Sequence, residues 1–569
     1  MTSGAPHSTV ENALNAYFET ARKDRFRQTL SGMALVVALL LAAHATEVTL
    51  TGLVGIPSGV LNYFGRTLPA VSFATLPGDL ANWFWAFPKW SSMLLESLVM
   101  AWVATVLGVA LALPLSFVAA RNGISSPLAR FVVWRIFQIA RAVPEIVYAL
   151  IFVFAFGPGA LAGILAITVH AVGALGKLFA ESHENVGTSA ISGIRSTGAS
   201  ASQISLHGVL PQSLPDVISY SLLRFESNVR ASAIIGMVGA GGIGQELYFA
   251  IRQFHYTDIS AIILMIIALV IIIDSIASRL RHKVIRIAAP GQTLHLRQVS
   301  SELNPSVIMK LNFRYRIRVF MLFTLMVASI VASFIFIGVN AGQITTGLPR
   351  LGFLISHMFP PLPGARPLTL VGALFDTLAI AAVGTALSVL ISLPLGFLGA
   401  QNFVKNHFLH QSIRRLFDVL RSVDTLIWAI IFVGVVGLGP FAGVLAIAAA
   451  DIGSLAKLFA DAIENVDRRD VEAIKSTGAG KVQEARFGYL PPVLPVMLSQ
   501  TLYFFESNVR AASILGVVGA GGIGLYLSEA LRIGEWQQLG FMIVLILLLV
   551  IVSEFACGFL LKRTQGRKA

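Results

Sequence analysis

Polar residues in this chain concentrate in the intervals between long apolar runs, and inside the runs hydrophobic and polar positions do not alternate. Ala261 to Ile273 and Phe541 to Val552 are uninterrupted examples. About 20 such residues in a helix cross a hydrocarbon layer ~30 Å thick, and a bilayer admits only helices or closed barrels. Without a period of two, the runs predict helices. They fall near residues 29–50, 91–119, 131–156, 159–180, 214–237 and 258–279, then near 319–339, 370–400, 416–437, 440–460, 494–517 and 538–561.

The two sets are one pattern written twice. At an offset of 280 residues, Pro114 aligns with Pro394, Arg141 with Arg421, Lys177 with Lys457, Gly198 with Gly478, Pro211 with Pro491, Glu226 with Glu506 and Asp274 with Glu554. The expected organisation is an amphipathic cytoplasmic segment at 1–28, a six-span domain at 29–282, a basic cytoplasmic linker at 283–318 and a second six-span domain at 319–569. In the first segment, Val10, Leu14 and Phe18 share one face behind a Ser8/Glu11 capping box. The fold class is therefore an all-α polytopic membrane protein of twelve spans, a tandem parallel repeat forming a pseudo-dimer. Six crossings return each half to its starting side, so the halves are related by an axis along the membrane normal. A cavity is expected on that axis.

Composition agrees. Of 569 residues, 56% are hydrophobic and only 12% charged, against about 25% charged in ordinary soluble domains. The net charge of +13 gathers at Arg22 to Arg27, Arg279 to Arg286, Arg314 to Arg318 and Lys562 to Lys568. Each cluster abuts an apolar run, as expected of cytoplasmic flanks, and no basic face interleaved with aromatics offers a nucleic-acid surface. The basic stretch before Met33 to Ala43 mimics a signal peptide, but its charged region is too long, and an uncleaved first span is the better reading. One cysteine, Cys557, excludes a disulfide framework. Trp83, Trp85 and Trp90 are expected to anchor the outer interface.

Residues 225–244 read FESNVRASAIIGMVGAGGIG and residues 505–524 read FESNVRAASILGVVGAGGIG, identical at 16 of 20 positions. Gly239 to Gly244 satisfy the G-x-G-x-x-G pattern, but a dinucleotide turn must follow a strand and open a helix that holds pyrophosphate. These glycines end a membrane span. Gly239, Gly241, Gly242 and Gly244, with Gly519, Gly521, Gly522 and Gly524, either close-pack a helix end or form an outer gate or hinge. Gly176-Lys177-Leu178 and Gly480-Lys481-Val482 lack the other residues of a phosphate loop, so the chain is not expected to hydrolyse ATP.

Arg224, Glu226 and Arg230 lie deep in the fifth span, where an unpaired charge costs at least about 2.5–3.5 kcal/mol. Glu226 and Arg230 stand four apart, as do Glu506 and Arg510, the spacing at which side chains meet. Arg224 aligns with Phe504 and is expected to add uncompensated positive charge near the axis. With Ser227, Asn228, Ser507 and Asn508, these residues are expected to line a translocation path for an anion. Arg141 and Arg421 are expected to pair within their own helix, with Glu145 and Asp424; Asp274, Glu554, His170 and Asp451 are expected to bond between helices. No metal site is expected.

Glu472-Ala473-Ile474-Lys475-Ser476-Thr477-Gly478, followed after nine residues by Gly488-Tyr489-Leu490-Pro491, resembles the coupling loop of bacterial ABC importer permeases. The first copy departs from it, with Ser192-Gly193-Ile194 before Gly198 and Leu210-Pro211. The E-S-N-V-R and V-G-A-G-G-I-G stretches look like the phosphonate-type branch of these permeases, here with two subunits fused. The resemblance implies a permease of the bacterial cytoplasmic (inner) membrane that imports phosphonates or related phosphorus oxyanions: phosphite, phosphate or hypophosphite. It implies delivery by an extracytoplasmic binding protein and docking of an ATPase homodimer, which would carry ATP and Mg, at Ser192, Gly193, Gly198, Glu472, Ala473 and Gly478. The chain itself would need no cofactor. An ABC permease for another solute such as an amino acid, or an ion-coupled secondary transporter, remains open at this point.

Overall fold

The computed structural model describes residues 32–288 and 320–565 apart from 70–71, 73, 123–125, 322–323 and 405, together with residues 22 and 29–30. The expected amphipathic segment at 1–28 and most of the linker at 283–318 lie outside the described residues. In the first half the helices are α1 (Gly32–Ala45), α2 (Leu50–Thr67), α3 (Leu76–Trp83), α4 (Phe87–Ala119), α5 (Pro127–Ala142), α6 (Glu145–Phe156) and α7 (Ala160–Glu184). They continue with α8 (Thr188–Arg195), α9 (Leu210–Ile235), α10 (Ile243–Arg252) and α11 (Tyr256–Ala288). The second half has α12 (Thr324–Ile337), α13 (Ala341–His357), α14 (Pro367–Gly399), α15 (His407–Ser422), α16 (Thr425–Val436) and α17 (Pro440–Glu464). After these come α18 (Arg468–Lys475), α19 (Leu490–Leu515), α20 (Ile523–Ile533) and α21 (Trp536–Gln565). From α4 onward the helix starts repeat at the 280-residue offset read from the sequence.

Among the described residues, six helices are long and apolar enough to cross a bilayer unbroken, and five more candidates are bent pairs. The expected span at 131–156 is one of these. It turns by 89° between α5 and α6, and its counterpart turns by 89° between α15 and α16. Pro144 supplies no N–H to continue α5, and Val143 before it is extended, the conformation proline favours in its predecessor. The second copy has no proline there; Asp424 instead accepts from Leu426 N at 2.9 Å and starts a new helix. Glycine accommodates both bends: a Cβ on Gly173 would lie 2.7 Å from Arg141 N, and one on Gly453 2.8 Å from Arg421 N.

Of the span expected at 29–50, residues 32–45 are described as the continuous helix α1. The chain then continues as α2, which crosses to the other half and packs on α16, while α13 reciprocally packs on α6. These arms interlock through glycine: a Cβ on Gly434 would meet the Tyr63 ring at 2.5 Å, and Gly347 faces Phe156 in the same way. Small residues also let α4 lie close on α7, where Gly108 faces Ala171, and α14 on α17, where Gly384 faces Ile447.

Trp90 corrects an expectation: it is 2% exposed and belongs to the core, whereas Trp83 donates to Ser260 Oγ at 3.0 Å and Trp85 to Asp258 at 3.1 Å. They fasten the start of α4 to the start of α11.

Candidate functional site

At one end of the bundle, α8 and α18 are short amphipathic helices held to it by their few apolar side chains. Ile191 packs with Ile204 and Val209, and Val471 with Tyr489 and Val493. Both helices stop at a glycine in the left-handed region, Gly198 (φ 77°) and Gly478 (φ 81°), whose amides donate to Arg195 O and Lys475 O. Ser192, Gly193, Glu472 and Ala473 are exposed on the opposite face. The copies differ at their starts. Asp467 caps α18 by accepting from Arg469 N at 3.0 Å, and its carboxyl is held below the usual carboxylate range by the Arg469 side chain. Gly187 before α8 supplies no cap.

At the far end of α9 and α19 lie the glycine turns. Gly239, Gly241 and Gly242 have φ of 92°, 79° and 75°, and Gly519, Gly521 and Gly522 repeat this. Gly244 and Gly524 have ordinary φ but no room, since a Cβ on Gly244 would sit 2.0 Å from Ala233 O. The turns are held from outside: Gly159 N donates to Gly239 O, Ile243 N to Ser97 Oγ at 3.0 Å and Ile523 N to Thr377 Oγ1 at 2.9 Å. Gly239, Gly519, Gly521 and Gly522 also line a cavity of about 1480 Å³ between the halves.

The walls of this cavity are mostly apolar and aromatic, and its charged lining residues are Arg252, Arg532 and Asp376. Arg252 and Arg532 occupy equivalent positions at the 280 offset, near the ends of α10 and α20. The sequence reading missed them. The available signal was their recurrence one short helix beyond the glycines, but a charge at a helix end reads as an interfacial residue.

None of the expected path residues lines this cavity. Beneath it, where Ile146 of the wall follows Glu145, the deep charges form an ionic layer. Arg224 Nη2 donates to Glu145 Oε1 at 2.5 Å, and His170 Nδ1 lies 2.5 Å from the same oxygen. The expectation that Arg224 is uncompensated is thereby corrected. Glu226 takes Arg281 at 2.9 Å and Arg230 at 3.6 Å, and Arg510 reaches Glu506 at 2.8 Å, so the four-residue spacing does bring both pairs together. Asn228 and Asn508 are buried and donate to Thr105 Oγ1 and Thr385 Oγ1, and Asn508 also to Asp451 Oδ2. Ser227 and Ser507 are half-buried on the same helices.

The third-span arginines are a second correction. Arg141 Nη2 meets Glu554 Oε1 at 2.5 Å, and Arg421 lies 3.7 Å from Asp274 and 3.8 Å from Asp418. Arg141 to Glu554 and Arg421 to Asp274 are symmetry-related ties from each half to the other. Glu145 and Asp424 are occupied elsewhere, because the bend turns them away from the helix that carries the arginine.

The repeat, the bent third span and the paired Gly-terminated loops converge on one family. The description "binding-protein-dependent transport system inner membrane component" fits residues 112–286 and again residues 392–565. The chain belongs to this family. It is a multi-pass membrane protein and the transport permease subunit of an ABC importer, a role that implies an ATPase and a substrate-binding partner and is not itself catalytic. The phosphate-import permease protein PhnE of Mycolicibacterium smegmatis is 34% identical over 469 residues, 82% of this chain and 84% of that one. The phosphite transport system permease protein PtxC of Stutzerimonas stutzeri is 41% identical over 211 residues, 37% of this permease and 77% of its own length. A chain of the solved MetNI methionine ABC transporter is 25% identical over 34% of this permease and 95% of its own length, with a TM-score of 0.30.

Proposed function

We propose that this permease imports phosphonates or related phosphorus oxyanions, such as phosphite, phosphate or hypophosphite, across a bacterial cytoplasmic membrane. The relatives named for phosphate and phosphite import support the cargo. The observation that carries the mechanism is the placement of two exposed helix-glycine loops at one end of a bundle whose other end opens as a cavity between equivalent halves. In this reading residues 29–282 and 319–569 are the two permease domains. An ATPase homodimer binds ATP and Mg and docks at Ser192, Gly193, Gly198, Glu472, Ala473 and Gly478. An extracytoplasmic binding protein delivers the anion to the glycine-lined mouth.

The glycine turns then serve as close-packed outer ends that let each half move as a body. The ionic layer of Arg224, Glu226, Arg230, Glu506 and Arg510, with Ser227, Asn228, Ser507 and Asn508 on the same helices, is the floor that must part for passage. ATP-driven approach of the two loops supplies the lever.

Vesicles holding the permease with its ATPase and binding protein test this reading. Uptake of labelled phosphonate or phosphate should require internal ATP and the binding protein and be indifferent to ion gradients. Uptake driven by a gradient without ATP, or import of an amino acid in place of any phosphorus oxyanion, contradicts it.

A further inference from the structure

The deep arginines of this molecule already have anionic partners. Arg141, Arg224, Arg230, Arg281, Arg421 and Arg510 each lie within 3.7 Å of a carboxylate. Arg252 and Arg532 differ: among the described residues neither has a carboxylate within 4.0 Å, and both face the cavity. Each is steadied by its Nε. Arg252 Nε donates to Tyr248 Oη at 2.9 Å with its guanidinium over the Tyr248 ring, and Arg532 Nε donates to Ser528 O at 3.3 Å. That arrangement orients the guanidinium and leaves its terminal nitrogens available.

We propose that Arg252 and Arg532 are the permease's own oxyanion-receiving pair, a site in the outer cavity for a tetrahedral phosphorus oxyanion released by the binding protein. Two guanidinium groups offer forked donors matched to P–O oxygens. They outnumber the one carboxylate of the lining, Asp376. The apolar walls lower the local dielectric and focus the field of the pair on whatever enters. A cavity of about 1480 Å³ far exceeds one phosphate, so an organic substituent on phosphorus is accommodated against the aromatic wall. Because both side chains are exposed, their hold on the anion is weak, as a transport site requires if the anion is to leave again. The proposal rests on the reading of phosphorus oxyanions as cargo and assigns the residues that meet them first.

The test is the phosphorus-31 linewidth of inorganic phosphate and of methylphosphonate, each titrated into the purified full chain in nanodiscs. Wild type should broaden both resonances. R252A/R532A should require about ten-fold more anion or more for the same broadening, as expected for loss of charge-assisted hydrogen bonds. R252K/R532K, which keeps the charge and controls for folding, should fall between. No broadening by wild type, or unchanged broadening by the double alanine variant, overturns the proposal. If broadening behaves as expected while vesicles show no ATP-driven uptake of phosphorus oxyanions, the site stands and the assigned cargo falls.

Discussion

Gly244 and Gly193 are both helical glycines, and their surroundings give them opposite meanings. A Cβ at Gly244 would press on Ala233 O, 2.0 Å away, and backbone cannot yield as a flexible side chain would. Gly244→Ala should cost about 1–3 kcal/mol, the usual penalty of overpacking, seen as a lower thermal midpoint of the purified permease. A Cβ at Gly193 meets open space. Gly193→Ala, which matches Ala473, should leave the midpoint unchanged or raise it, since alanine gains up to about 1 kcal/mol over glycine in a helix. Asp467 gives a pH prediction. Its carboxyl lies below the ordinary value of 3.8, so its cap stabilises α18 above that pH and is lost as pH falls through the lower folded value. Hydrogen exchange of the Arg469 amide should therefore slow less on acidification than the falling base-catalysed rate predicts, and Asp467→Asn should remove the difference. At this scale the sequence told which glycines recur but not why: Gly239 needs a left-handed turn, whereas Gly244 needs space. Arg252 and Arg532 were visible as letters, yet only a cavity distinguishes an available arginine from a paired one.

Among the elements, the long apolar helices were legible because hydropathy reports them directly. The bend in the third span was not. Pro144 hints at it in one copy, but the other copy achieves the same angle with Asp424 as a cap, and the two sequences share no breaker. The crossed arms α2 and α13 were hidden for a different reason, as their partners belong to the opposite half and no local pattern encodes them. The ion pairs divide along the same line. Glu226 with Arg230 follows from helical spacing, whereas Arg141 with Glu554 joins residues 413 apart in sequence. This tie makes a specific prediction. Arg141→Glu sets like charges against each other in a partly buried site and should reduce both the yield of folded permease and uptake. R141E/E554R should recover much of both, by a coupling of about 1–3 kcal/mol in a double-mutant cycle on stability. Equal loss in the single and double variants would show that the pair does not hold the halves together.

The whole molecule is two equivalent bodies with different inner details. Helix boundaries repeat, as do the glycine turns, the cavity arginines and the ties between halves. The ionic layer repeats only in part: Glu226 with Arg230 recurs as Glu506 with Arg510, but Glu145, His170 and Arg224 have Thr425, Ala450 and Phe504 as counterparts, and α18 is capped where α8 is not. Fusion in one chain permits this divergence, because the halves no longer share one sequence. All of the proposed mechanism depends on both coupling loops lying on one side of the membrane and both cavity arginines on the other. The most direct measurement is cysteine labelling in oriented vesicles, starting from a chain in which Cys557 is replaced by Ser. Single cysteines at positions 193 and 473 should react only with reagent on the cytoplasmic side, and those at 252 and 532 only from outside. Labelling of 193 and 473 from opposite sides would contradict a parallel pair of permease halves and the lever built on it.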